Sequence, residues 1–190
     1  MIELEKYIRD FLSSVLSPER LQHSLQTAEL AKSLGKRFGL DPEKAYLVGL
    51  LHDAGREIDP KVLLLKAESL GYNPSPMEKE NPVLLHGLIS AEIAKTLFQI
   101  QDAEMLEAIQ HHTLGKVNIC PLGAILYIAD YLEPTRKFVD ASFREAVLSL
   151  DSLEKMLLEV LEAEKRYRKI LAPSTQALYD ALREKELEKA

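Results

Sequence analysis

Residues 41–55, DPEKAYLVGLLHDAG, hold the pattern on which the reading of the whole chain turns. Asp41 is placed to cap a helix N-terminus, and Pro42 suits the first helical position, where no amide hydrogen bond is lost. An apolar run follows as far as Leu51, closes on His52-Asp53 and stops near Gly55. A carboxylate at the end of an apolar helix is expensive to bury unless something positive meets it. The segment therefore predicts a packed helix reaching Asp53 and a polar centre at its end.

The same punctuation recurs on both sides. Ser17-Pro18 opens a helix running to about Phe38 and ended by Gly39, and Asp59-Pro60 opens another ending at Gly71. Residues 72–82, with three prolines and two asparagines, read as a long loop. Helices follow at about 84–99, 102–113 and 121–132 and, after Pro134, at about 140–148, 151–170 and 174–188. Leu85, Leu88, Ile89, Ile93, Leu97 and Phe98 form one apolar stripe at helical spacing; Leu150, Leu153, Leu157, Val160 and Leu161 form another. No stretch alternates with a period of two and β-branched enrichment. The expectation is an all-α bundle of about nine to ten helices with no sheet. The charge-rich end, Glu184 to Lys189 above all, reads as solvated helix surface.

Composition bounds the function. With 190 residues, 46% of them hydrophobic and 28% charged, the chain is long enough for a core of its own and too apolar to be disordered. Residues 1–190 are read as one domain, with the site in about 18–136 and the helices of about 137–190 packed on it. Eight glycines and nine prolines are too few for a turn-dense all-β protein. Cys120, the single cysteine, closes no intrachain disulfide, which points to a reducing compartment. A net charge of −6 argues against a nucleic-acid partner. No apolar run reaches the ~20 residues of a bilayer span, so no membrane partner is expected. Met1 opens directly in an acidic amphipathic stretch without the basic and apolar regions of a signal peptide, and a cytoplasmic protein is expected.

The five histidines are His23, His52, His86, His111 and His112. His86 lies three and seven residues before Ile89 and Ile93, on the core side of its helix, and His23 shares a face with Thr27 and Leu30. Asp130 closes the apolar run Ile125-Leu126-Tyr127-Ile128-Ala129. Taken singly, each histidine is as well read as a hydrogen-bonded core residue, and each aspartate as a cap or a partner of Arg56 or Arg136. Together, His23, His52, Asp53, His86, His112 and Asp130 are six N and O donors on five helices, pointing inward as ligands in helix bundles do. Imidazole and carboxylate without thiolate suit Fe, Mn, Zn or Co rather than a structural cysteine-type zinc site.

In that order these residues resemble the HD-domain metal-dependent phosphohydrolases, an all-α superfamily. Leu50-Leu51-His52-Asp53, Leu85-His86-Gly87, His112-Thr113-Leu114-Gly115 and Ile128-Ala129-Asp130-Tyr131-Leu132-Glu133-Pro134-Thr135-Arg136 are similar to the YqeK-type family of bacterial HD proteins. That family is described as symmetrical bis(5′-nucleosyl)-tetraphosphatases, which split diadenosine tetraphosphate into two ADP. The resemblance implies two divalent transition-metal ions, iron first and Mn, Co or Zn as alternatives. It implies that His23, His52, Asp53 and Asp130 hold one and Asp53, His86 and His112 the other, with Asp53 bridging and a metal-bridging hydroxide attacking phosphorus. Another HD nucleotide phosphohydrolase (a nucleotidase or pyrophosphohydrolase) and a non-catalytic metal-binding signalling domain are the alternatives.

Many HD proteins carry a lysine three residues after the aspartate; this chain has Arg56, which keeps the charge but grips a phosphate as a planar fork. Arg56 is read with Asp53 as catalytic. Arg56, Lys116, Arg136 and Lys137 are candidates for the remaining phosphates, the plainer reading of each being a surface ion pair. Thr113 and Gly115, at the helix end after His112, can approach a phosphate, and Gly115 is equally a C-cap. With His112 as the ligand, His111 falls to the substrate pocket. Tyr46, Tyr127 and Tyr131 read as core before base-stacking, Cys120 as buried filler, and the stripe of 150–170 as core or a homodimer contact.

Overall fold

The computed structural model describes residues 2–168 and 171–188, which form eleven α-helices and one 3-10 turn with no strand among them. In order they are α1 (Ile2–Val15), α2 (Pro18–Arg37), α3 (Pro42–Leu51), α4 (Pro60–Ser69), α5 (Pro76–Glu80), the 3-10 turn Pro82–Leu85, α6 (His86–Thr96), α7 (Ala103–His111), α8 (Pro121–Leu132), α9 (Ala141–Ser149), α10 (Leu153–Arg168) and α11 (Pro173–Leu187). The last two residues of the helix expected over 151–170, and Lys189 of the charged end, lie outside the described residues. None of the helices is long and apolar enough to cross a membrane.

The start signals work as the sequence suggests. The Asp41 carboxylate accepts the Glu43 and Lys44 amides at 2.9 and 3.2 Å, and Asp59, Asp102 and Asp140 cap α4, α7 and α9 in the same way. The segment read as a long loop differs. Within 72–82 the Ser75 hydroxyl accepts the Glu78 amide while the Glu78 carboxylate accepts the Ser75 amide at 2.8 Å, a reciprocal capping box that nucleates α5. Pro76 and Pro82 both sit at helix-starting positions, so these prolines begin elements instead of breaking them. Cys120 is not buried filler: it is half-buried at the N-cap of α8, where its Sγ accepts the Gly123 amide at 3.3 Å.

Helix α8 is the centre of the bundle. Leu122 through Ala129 and Leu132 are all buried, the signature of a helix covered on every side. It packs against α2, α3, α7 and α10. Ile125, Leu126, Ile128 and Leu132 are fully buried, each contributing about 1.5–3 kcal/mol. Leu157, Val160 and Leu161 of α10 belong to the same core, so the apolar stripe there is core.

Two glycines bring the site-bearing helices together. A Cβ on Gly49 of α3 would lie 2.6 Å from the Cα of Ala28 on α2, and one on Gly87 of α6 would lie 2.7 Å from the Gln110 carbonyl oxygen of α7. Backbone at that range admits only hydrogen. In an open helix Gly→Ala stabilises by about 1 kcal/mol; here Gly49→Ala is expected to destabilise by about 1–3 kcal/mol in denaturant unfolding, because α2 and α3 must part. A more stable variant would show that the contact is not tight.

Candidate metal centre

Five of the six donors arrive at or near a helix end. His52 and Asp53 sit in a turn that tightens after α3, where the Ala54 amide donates to the Leu51 carbonyl and the Arg56 amide to the Asp53 carbonyl, at 3.0 and 2.9 Å. His86 stands at the junction of the 3-10 turn and α6, His112 caps the C-terminus of α7, and Asp130 lies in the last turn of α8; only His23 is well inside its helix, α2. The four histidines and Asp53 are buried, none more than 5% exposed, while Asp130 is partly open to a cavity.

The outer nitrogens of the four rings are fixed. Nδ1 of His52, His86 and His112 faces the carbonyl of Gly49, Val83 and Ile109 at 2.6, 2.5 and 2.7 Å, and Nδ1 of His23 faces Glu133 Oε1 at 3.0 Å. Carbonyl and carboxylate oxygens only accept, so each Nδ1 carries a proton and Nε2 is the atom turned inward, a lone pair in the neutral ring and a donor to a carboxylate in the protonated one. The Nε2 atoms of His23 and His52 are 3.1 Å apart, and those of His86 and His112 are 3.0 Å apart. Lone pairs facing each other at that range repel unless a cation lies among them.

Asp53 divides these pairs. Its Oδ2 is 3.7 Å from His23 Nε2 and 3.5 Å from His52 Nε2; its Oδ1 is 3.0 Å from His86 Nε2 and 3.7 Å from His112 Nε2. Asp130 Oδ1 joins the first pair, 3.0 Å from His23 and 3.7 Å from His52. The donor atoms of His23, His52 and Asp130 lie within 4.8 Å of one another, as do those of His52, Asp53 and His112. Such groups can hold a metal ion.

The electrostatics agree. Burial works to raise the Asp53 carboxyl, but His52 and hydrogen bonds from His112 and His86 outweigh it and hold it well below the usual carboxylate range. Burial likewise opposes ionisation of Asp130, and the hydrogen bond to His23 and the charge of Arg136 bring it far below its ordinary value. Burial pushes His86 down, while at His23 it is outweighed by hydrogen bonds to Asp130 and Glu133, which raise that ring. Anionic carboxylates beside imidazoles are the donor set of a divalent cation, and protons compete for the same atoms.

The guanidinium on Asp53 is not that of Arg56, one of the partners the sequence offered it. Arg20 Nη1 lies 2.9 Å from Asp53 Oδ2, whereas Arg56 has no carboxylate within 4 Å among the described residues and instead lines the cavity. Arg20 escaped the sequence reading, although it sits one turn before His23 on the same face of α2. Arg136 pairs with Asp130 as one of the readings had it, and its Nε also donates to the Asp130 carbonyl at 3.0 Å. Glu133, quoted in the motif but given no role, is fully buried; it accepts from His23 and from the amide and hydroxyl of Thr135, both at 2.5 Å. Burial tends to raise Glu133, and these hydrogen bonds bring it below the ordinary range.

The centre opens into a cavity of about 560 Å³ lined by Arg20, Asp53, Arg56, His86, Asp130 and Arg136 among others. Thr113 and Leu84 are shared with a neighbouring cavity of about 530 Å³. Thr113 Oγ1 is 3.3 Å from His86 Nε2 and 3.2 Å from His112 Nε2. His111, Gly115 and Lys116 lie in the neighbouring cavity and not at the centre. Gly115 has φ +64° and its amide donates to the His111 carbonyl at 2.8 Å, the capping role; Lys116 pairs with Glu107 at 3.2 Å. Lys137 is exposed and lines neither cavity. Tyr46 is core: its hydroxyl donates to Glu5 at 3.0 Å, and burial together with that bond pushes its pKa up to about 12. Tyr127 and Tyr131 line the metal cavity, with the Tyr127 hydroxyl donating to Glu164 at 2.6 Å.

An all-α bundle whose adjacent His-Asp pair meets three further histidines and a second aspartate defines a class, and the HD-domain family model matches residues 20–135. The chain belongs to the HD-domain family. It is 31% identical over 123 residues to a Bacillus subtilis protein named bis(5′-nucleosyl)-tetraphosphatase, symmetrical, a match covering 65% of this chain and 66% of that one, just under two thirds of its length. A Staphylococcus aureus protein of the same name is 30% identical over 148 residues, covering 76% of this chain and 75% of its own. Among solved structures, a predicted HD superfamily hydrolase involved in NAD metabolism from Clostridium acetobutylicum superimposes with a TM-score of 0.88 and 29% identity, covering 95% of this chain and 97% of that one.

Because Glu133 fixes the tautomer and orientation of His23, Glu133→Gln is expected to weaken metal binding roughly 10-fold or more, read by competition with a chromophoric chelator. An unchanged affinity would reduce Glu133 to a local hydrogen-bond partner of Thr135.

Proposed function

We propose that this chain is a metal-dependent phosphohydrolase that cleaves diadenosine tetraphosphate, and related dinucleoside tetraphosphates, symmetrically into two ADP. The observation that carries the reading is the division of Asp53, one oxygen toward His23 and His52 and the other toward His86 and His112. The names of the Bacillus and Staphylococcus relatives support the substrate. His23, His52, Asp53 and Asp130 would hold one divalent cation and Asp53, His86 and His112 a second, iron first among Fe, Mn, Co and Zn. When bound, such a pair lowers the pKa of water and neutralises phosphoryl oxygens during in-line displacement.

The chain's own residues supply position and charge. Asp53 keeps the two imidazole pairs in register, and Arg20 balances its negative charge. Arg56 and Arg136, on the wall of the same cavity, offer forked donors to the phosphates flanking the scissile one. Past Thr113 and Leu84 the neighbouring cavity receives the other half of the dinucleotide, with His111, Lys116 and the backbone at Gly115 along its wall. With one ADP unit seated beside the arginines, the phosphorus presented at the centre is the second from the ribose, and the leaving group is the other ADP. Its developing charge is met by the Arg56 and Arg136 guanidiniums.

Chromatography at partial turnover is expected to give ADP as the sole early product; equal AMP and ATP would overturn the symmetrical register. Elemental analysis of protein purified without oxidation should find about two transition-metal ions per chain, and Asp53→Ala should remove metal and turnover while helicity stays near wild type. An unfolded metal-free chain would make the metal structural and refute this division of labour. Arg56→Ala should lose about 2–4 kcal/mol of transition-state stabilisation with metal content intact. Wild-type kinetics in that variant would return Arg56 to the surface.

A further inference from the structure

The metal cavity has an aromatic wall that phosphate chemistry does not use. Phe138, in the turn between α8 and α9, and Tyr167, near the end of α10, both line it, and they are 53% and 76% exposed. Their rings are 6.1 Å apart between centroids and only 28° from parallel. Tyr131 meets Phe138 edge-on at 5.6 Å, and the Arg136 guanidinium carbon lies 5.7 Å from the Phe138 ring centre. Two large rings left face to face in water retain apolar area that a flat ligand would cover.

We propose that Phe138 and Tyr167 form a clamp that takes a purine base between their faces; the inference rests on the phosphohydrolase reading only in making that base part of the nucleotide substrate. A flat ring between two others needs about 7 Å, twice an optimal carbon–carbon contact. The centroids stand 6.1 Å apart, and rotation of one exposed side chain sets the two planes at the spacing an intervening ring needs. Phe138 is the fixed jaw, held by Tyr131 on its edge and Arg136 on its flank, and Tyr167 is the adjustable one. Arg136 also pairs with Asp130, so the jaw that seats the base and a carboxylate of the metal centre share one guanidinium. Stacking rewards π-area and is tolerant of base identity. The clamp therefore favours purines over pyrimidines and separates adenine from guanine weakly.

The chain contains no tryptophan, so Phe138→Trp places a single reporter in the clamp. In the metal-loaded protein, ADP and GDP are expected to change its fluorescence and inorganic pyrophosphate to leave it unchanged. Phe138→Ala and Tyr167→Ala should each weaken ADP binding by roughly 10-fold or more in calorimetry, with pyrophosphate affinity unaltered and Tyr167→Phe restoring ADP binding. If Phe138→Ala fails to fold, the highly exposed Tyr167 carries the test alone. Unchanged ADP affinity in the alanine variants, or an equal signal from pyrophosphate, overturns the clamp. Diadenosine tetraphosphate cleaved with an unchanged KM in both variants also removes the clamp while leaving the tetraphosphatase reading in place. Purine-dependent signal and affinity in a chain that does not cleave that substrate would keep the clamp and remove the reading.

Discussion

The Asp53 carboxylate is buried at the meeting point of four imidazoles, and each of its oxygens serves a different pair. An anion in that position is tolerable only if positive charge reaches both of its sides. Much of the fold serves this condition. The ends of α3 and α7, the start of α6 and the last turn of α8 must arrive within a few ångströms of one another, together with the face of α2 that carries His23. Gly49 and Gly87 allow the two closest backbone approaches, and backbone carbonyls three residues upstream turn three of the four rings inward.

Charge is distributed with the same economy. The chain is acidic overall, yet three arginines stand around the centre: Arg20 on Asp53, Arg136 on Asp130, and Arg56 on the cavity wall. Two of them are already engaged with carboxylates of the centre, so they hold donor atoms in place as well as adding positive potential. The third faces the cavity without such a partner and suits a ligand's anion. Glu133 works at one remove, gripping His23 from outside and being gripped in turn by Thr135. The helical bundle thus sets three guanidiniums beside the carboxylates of the centre, under an aromatic rim.

Much was legible in the chain before folding. Capping aspartates followed by proline, apolar stripes of period 3.6 and the absence of period-two segments are local signals, and they specify helices because backbone amides and side-chain spacing act over a single turn. The donor set was legible for a related reason: His52-Asp53, His86, His112 and Asp130 each end or start an apolar run, where a polar side chain needs a partner. The capping box at Ser75 and Glu78 was equally local and was masked by three prolines, two of which start elements.

Which partner each group finds is a different kind of fact. Asp53 could face Arg56, three residues away, or Arg20, thirty-three residues upstream; the packing of α2 on α3 selects Arg20. His111 and His112 are neighbours in the chain, but the helix turn sends one to the centre and the other to the next cavity. Phe138 and Tyr167 carry no motif and meet only because α10 lies along α8. The sequence by itself determined the helices, their ends and the kinds of atoms at those ends, since each depends on interactions within a turn or two. The tertiary structure alone decided the pairings, the open side of the cavity and the aromatic rim, since contacts between distant residues are set by how whole helices pack.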